Sequence, residues 1–157
     1  MKKFDLKSAL AGVVLASLSS GVIAMTDGGN GWVYDTQEAM KADLSGNLIV
    51  SVYVASDEST NIGFMYEDSS CKDFEDDSVS FQPLRVNGQF INIDAQCQDD
   101  GVMMVYPTSD AAFNFIKNEF SNKNSVKIDK FGDTDYTFDT RGFKQAMAHV
   151  MTPINAL

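Results

Sequence analysis

Residues 79–96 read VSFQPLRVNGQFINIDAQ, and the Asn87-Gly88 pair at their centre decides the fold class. Asn-Gly between two β-rich runs predicts a two-residue type I′ turn, because both central positions need φ > 0. The spacing predicts strands over 79–86 and 89–96, with Val86 facing Gln89. Pro83 lacks a backbone donor, so the first arm is expected to lie at a sheet edge or to carry a bulge there. Continued outward, this register puts Cys97 opposite Ser78 rather than opposite Cys71.

On the N-terminal side, residues 48–55 (LIVSVYVA) are apolar on both faces, as a central strand requires. A polar run over 56–61 leads to a second strand at 62–66. Further upstream, Asp35 followed by Glu38 resembles a capping box, which predicts a short helix through Asp43. Downstream, Asp99-Asp100-Gly101 predicts a turn into a strand over 102–106. Thr108 or Ser109 is expected to cap a helix carrying Ala112, Phe113, Ile116 and Phe120 on one stripe. Val126 and Ile128 alternate with charged residues, and Tyr136 and Phe138 share one face of the next strand. Asp139 or Thr140 is placed to cap a last helix with Phe143, Met147 and Val150 as its seam. The pattern predicts one α+β domain: an antiparallel sheet of about five to seven strands, two or three helices on one face, and one disulfide.

The first 24 residues predict an export signal. Lys2, Lys3 and Lys7 precede an apolar stretch over 9–18, and Val22-Ile23-Ala24 places small or modest side chains before a cleavage point. The apolar run is too short to span a bilayer. No cysteine follows the cut, so lipid attachment is not expected. The mature domain is then 25–157, in the periplasm or secreted, with no membrane span.

The whole chain carries a net charge of −10, and the leader contributes three Lys and one Asp, which leaves −12 for the mature part. All of that excess lies in residues 25–104, since acidic and basic residues balance from 105 onward. Such a surface disfavours nucleic acid and anionic membranes as partners. It either serves solubility alone or steers a basic protein, such as a cell-wall hydrolase or a toxin. In an oxidising compartment Cys71 and Cys97 are expected to pair. The bond would clamp the acidic run Asp73, Glu75, Asp76 and Asp77 in a closed loop, with Asp99 and Asp100 just beyond its far end. These six carboxylates are the candidate partner-binding residues.

Catalytic motifs are lacking. Ser69-Ser70-Cys71-Lys72 contains a formal S-x-x-K, but the carboxylates beside Lys72 would keep it protonated. His149 is the single histidine, predicted to project away from the helix seam, and has no companion ligand. Neither 129–140 nor 73–77 has the spacing of an EF-hand loop. No metal, cofactor or catalytic residue is assigned. Trp32 is expected either to staple the first helix or to sit exposed for contact. The composition fits an inhibitor or immunity-type binding protein, with an accessory subunit of an envelope assembly and a carboxylate hydrolase without a local signature as alternatives.

Overall fold

Around the apolar run 48–55, the computed structural model places strand β4 (Ile49–Val54) between β3 (Glu38–Ala42) and β5 (Thr60–Glu67), both antiparallel to it. The structure describes residues 25–71, 77–99 and 101–151. Val50 and Val52 are fully buried on one face of β4, and Ser51 and Ile49 are buried on the other. This is the central strand that two apolar faces call for.

The expected helix over 35–43 is not formed. Asp35 does accept hydrogen bonds from the backbone N–H groups of Gln37 and Glu38, both at 2.7 Å, as a cap would. The chain then continues as β3, with Ala39 and Lys41 buried and Glu38, Met40 and Ala42 half-buried. Five paired positions along β4 outweigh a local preference for helix. Ahead of β3, β1 (Thr26–Gly29) and β2 (Trp32–Tyr34) extend the same sheet outward.

The Asn-Gly hairpin forms with the expected register, but it is shared between two sheets. Val86 faces Gln89, and Asn87 and Gly88 adopt φ of 46° and 85°. Its arms are β7 (Leu84–Val86) and β8 (Gln89–Ile91). Pro83 ends pairing in the first arm. Beyond it, β6 (Val79–Ser80) pairs with β9 (Ile93–Asp99), placing Val79 opposite Ala95. Unbroken pairing would have put Val79 opposite Gln96. The one-residue slip exchanges the faces of the outer segment, so Ser78 and Cys97 are not held in the expected register.

β10 (Val102–Pro107), α1 (Asp110–Asn122), β11 (Ser125–Phe131), β12 (Thr134–Asp139) and α2 (Phe143–Met151) complete the described elements. The result is an α+β fold with an eight-stranded sheet, β1-β2-β3-β4-β5-β10-β9-β6, and a four-stranded sheet, β12-β11-β7-β8. The strands exceed the five to seven expected because short strands at both edges of the large sheet, and a second sheet around the hairpin, add to the central ones. Ser109 caps α1 by accepting from the N–H of Ala112 at 3.3 Å. Phe64 of β5 packs on Phe120 of α1, which packs on Phe143 of α2, so both helices share one side of the large sheet. Phe138 of β12 joins this cluster at 5.7 Å from Phe120 and 5.9 Å from Phe64. The aromatic core thereby ties the two sheets together.

Trp32 is fully buried and serves as the staple, though against α2 rather than a first helix. Its indole N–H donates to the carbonyl of Arg141 at 2.9 Å, and its ring lies 6.0 Å from that of Phe143. Lys41 donates to the same carbonyl at 3.3 Å and approaches Asp139 at 3.7 Å. A buried ammonium needs this company, because an isolated charge there would be expelled or neutralised.

Candidate functional site

Cys71 and Cys97 are bonded, with Cα atoms 5.5 Å apart. Closing a loop of this length is worth about 3 kcal/mol through the entropy removed from the unfolded chain. The bond sits in a knot of backbone hydrogen bonds. The N–H of Asp68 donates to Gly101 at 2.9 Å, that of Cys71 to Asp68 at 3.1 Å, and that of Gly101 to Cys71 at 3.0 Å. Gly101 takes φ of 76°, which lets the chain reverse between β9 and β10 without strain.

This knot and the ladders beside it bring Glu67, Asp68 and Asp99 to one end of the large sheet. Asp99 closes β9 opposite Val102. Val102 faces Glu67 on its other side. Asp77 and Glu67 are exposed, and Asp68 accepts from the N–H and hydroxyl of Ser70 at 2.8 and 2.7 Å. Asp73, Glu75, Asp76 and Asp100 lie outside the described residues, as do Lys72 and the leader, residues 1–24. Glu67 and Asp68 were not singled out in the sequence. Only the pairing of β5 with β10 shows that they share an end with Cys71 and Asp99.

Among the described residues, the carboxylates Glu67, Asp68 and Asp77 make no ion pair. The ion pairs lie elsewhere. Lys127 bridges Asp129 and Asp135 at 2.8 and 2.7 Å, and Arg141 holds Asp139 at 2.6 Å. The hydrogen bonds from Arg141 hold the Asp139 carboxyl down at about 2. Glu67 and Asp77 thus face solvent with no ion pair to a cation among the described residues.

A second group of titratable side chains gathers on the face of the large sheet away from the helices. Ser51 donates its hydroxyl to Glu38 at 2.5 Å. Glu38 pairs across the ladder with Tyr53. Burial raises the Glu38 carboxyl above its ordinary range, against the lowering effect of the Ser51 bond. Burial also raises the Tyr53 phenol, with added repulsion from Tyr106 and Glu38. Serine beside a carboxylate is a nucleophile–base pairing in outline. Here Ser51 is fully buried at the middle of a strand, which closes the pair to a substrate. Its described role is to satisfy a buried carboxylate.

His149 is half-buried, in keeping with a partly solvated place on α2 away from the helix seam. Its Nε2 lies 2.6 Å from the carbonyl oxygen of Asp35, and its ring stacks on Tyr34 at 4.5 Å. The imidazole fastens α2 to the β2–β3 turn. Among the described residues no group of three His, Cys, Asp or Glu is arranged to hold a metal. No helix among them is long and apolar enough to cross a membrane.

The fold and this site define a class in structural terms: an α+β protein with one disulfide and a carboxylate-rich sheet end. Comparisons with protein-family models, curated proteins and solved structures found no match.

Proposed function

We propose that this protein is an exported, acidic binding protein that occludes a basic protein partner, in the manner of an inhibitor or immunity protein. It would act in the periplasm or outside the cell. The observation that supports this reading most is the knot at Cys71, Cys97 and Gly101. It holds Glu67, Asp68 and Asp99, distant from one another in sequence, at one end of the large sheet, and the acidic run 73–77 and Asp100 follow Cys71 and Asp99 directly in the sequence. A preorganised anionic patch raises the rate at which a cationic partner is captured and fixes its orientation.

The test is capture of envelope and secreted proteins on the immobilised, oxidised protein at low and at high salt. A basic hydrolase or toxin retained at low salt and released at high salt supports the reading. Retention of an envelope assembly in fixed proportion, unaffected by salt, would replace it with an accessory-subunit role.

A further inference from the structure

Three sulfur atoms meet beside the sheet end that carries Glu67 and Asp68. Cys97 of β9 faces Met103 of β10 across the ladder, and Met103 faces Tyr66 of β5 on its other side. Cross-strand partners project from the same face. The Cys97 and Met103 side chains therefore lie together on the face that carries Tyr66. Cys71 reaches that face from the loop after β5, bonded to Cys97. The Met103 thioether sulfur lies 3.9 Å from Cys71 Sγ. Neither of these sulfurs carries a hydrogen while the disulfide is intact, so the contact is packing and not a hydrogen bond.

The backbone holds these sulfurs together independently of the disulfide. The hydrogen bonds among Asp68, Cys71 and Gly101, and the β9–β10 ladder, use only N–H and carbonyl groups. Breaking the sulfur–sulfur bond leaves them in place, with two thiols and a thioether gathered at one point. A metal held by three sulfurs in a plane at about 2.3 Å spaces those sulfurs about 4 Å apart. The Cys71–Met103 edge already has that length. Cα atoms 5.5 Å apart let the two thiols reach it by rotation about their Cα–Cβ bonds. Cys71 and Cys97 are buried, and Met103 packs against the hydrophobic core. Thiolate and thioether donors together select Cu(I). Structural zinc takes four ligands from Cys, His, Asp and Glu. Among the described residues no group of three such side chains is arranged to hold a metal. Glu67 and Asp68 stand at the same end of the sheet, where negative charge attracts a cation.

We infer that Cys71, Cys97 and Met103 form a three-sulfur site for Cu(I) when the two cysteines are thiols, so that disulfide and metal are alternative states of the same sulfurs. The thiols exist before the disulfide forms, and a dithiol reductant regenerates them. In that exchange the Cys71–Cys97 bond breaks, the reductant closes a disulfide of its own, and its two electrons and two protons pass to the cysteines. Cu(I) then displaces the two thiol protons to solvent and accepts a lone pair from Met103, with no change in the oxidation state of copper or sulfur. The site does not depend on capture of a basic partner, so either reading can fail without the other.

The experiment is anaerobic titration of the protein with Cu(I) against a chromogenic Cu(I) chelator, in its dithiol and disulfide forms. The dithiol form, prepared with a phosphine and then freed of it, is expected to withdraw one equivalent of copper from the chelator, and the disulfide form none. Met103→Leu keeps the side-chain volume and both thiols, and should weaken retention about tenfold or more. Cys71→Ser and Cys97→Ser together should abolish it. X-ray absorption of the copper form should show three sulfurs at about 2.3 Å. Amide spectra before and after metal addition follow the fold of each variant. Retention by Met103→Leu, by the double serine variant or by the disulfide form equal to that of the dithiol form would overturn the inference. So would no retention at all, or Zn(II) held as firmly as Cu(I). A dithiol form that has lost the native amide spectrum, and does not regain it with one equivalent of Cu(I), would overturn it as well.

Discussion

The indole N–H of Trp32 donates to the carbonyl of Arg141 across 109 positions of sequence, at 2.9 Å. The contact fastens β2 to the entrance of α2. Gly142 completes it by leaving room for the ring. A Cβ at Gly142 would come within 2.7 Å of Trp32 Cδ1, and its φ of +86° disfavours any other residue. Gly142→Ala should therefore cost about 3 kcal/mol. Trp32→Phe should cost about 1–2 kcal/mol, since the carbonyl keeps its bond from Lys41. Urea unfolding followed by far-ultraviolet circular dichroism measures both. A Gly142→Ala protein as stable as the wild type would show that this junction is slack.

Asn87 does more than turn the hairpin. Its amide N–H donates to Glu119 of α1 at 2.6 Å, and its carbonyl accepts from the N–H of Lys127 at 2.8 Å. Two substitutions separate these roles. Asn87→Gly keeps the backbone freedom and loses the bonds, at a cost of about 1–2 kcal/mol. Asn87→Ala adds the strain of φ 46°, about 1 kcal/mol more. Equal stability of the two variants in chemical denaturation would rule out the strain component.

Glu38 should make stability depend on pH in the direction opposite to most carboxylates. Burial holds its folded pKa above the ordinary value, and repulsion from Asp35 adds to this. Its favourable contribution is then complete below the unfolded pKa of about 4.3 and is lost as pH rises through the folded value. Glu38→Gln keeps an oxygen for Ser51 to bond and removes the buried charge. The expected result is a higher Tm than wild type at pH 7 and little difference near pH 4. The same shift at both pH values would contradict the assignment.

Asp139 carries the reverse dependence. Hydrogen bonds from Arg141 lower its pKa to about 2, with further help from Lys41. Its stabilisation is present above the unfolded value of about 3.9 and disappears as pH falls through 2. Asp139→Asn should lower stability at neutral pH by about 2 kcal/mol, mainly by leaving the Lys41 ammonium buried without its counter-charge. Thermal unfolding at pH 7, 4 and 2 should show that loss shrinking between pH 4 and 2. A loss that persists undiminished at pH 2 would remove Asp139 ionisation from the account.

Much of the fold is legible because local and long-range preferences coincide. The two-faced apolar run around Val50 and Val52 can only be a central strand, and Asn87-Gly88 allows only one tight turn. Ser109 and the Ala112–Ile116–Phe120 stripe define α1 for the same reason. The reading fails where a distant partner decides. Asp35 and Glu38 satisfy a helix start locally, yet pairing along β4 draws the segment into the sheet. Pro83 announces an irregularity, but whether it bends one strand or divides an arm between two sheets depends on β11, which offers pairing to Val86. Tertiary placement likewise joins Glu67 and Asp68 to Cys71 and Asp99. No local pattern links residues that meet only through the β5–β10 ladder.

The central claim is that charge at the disulfide-bound end governs capture of a basic partner. It is tested most directly by the association rate with the captured protein, measured against ionic strength for the wild type and for a variant carrying Asp73→Asn, Glu75→Gln, Asp76→Asn and Asp77→Asn together. The account predicts a steep fall with salt for the wild type, a rate lowered about tenfold or more in the variant at low salt, and convergence of the two at high salt. An association rate untouched by the four substitutions, at low as well as high salt, would contradict it.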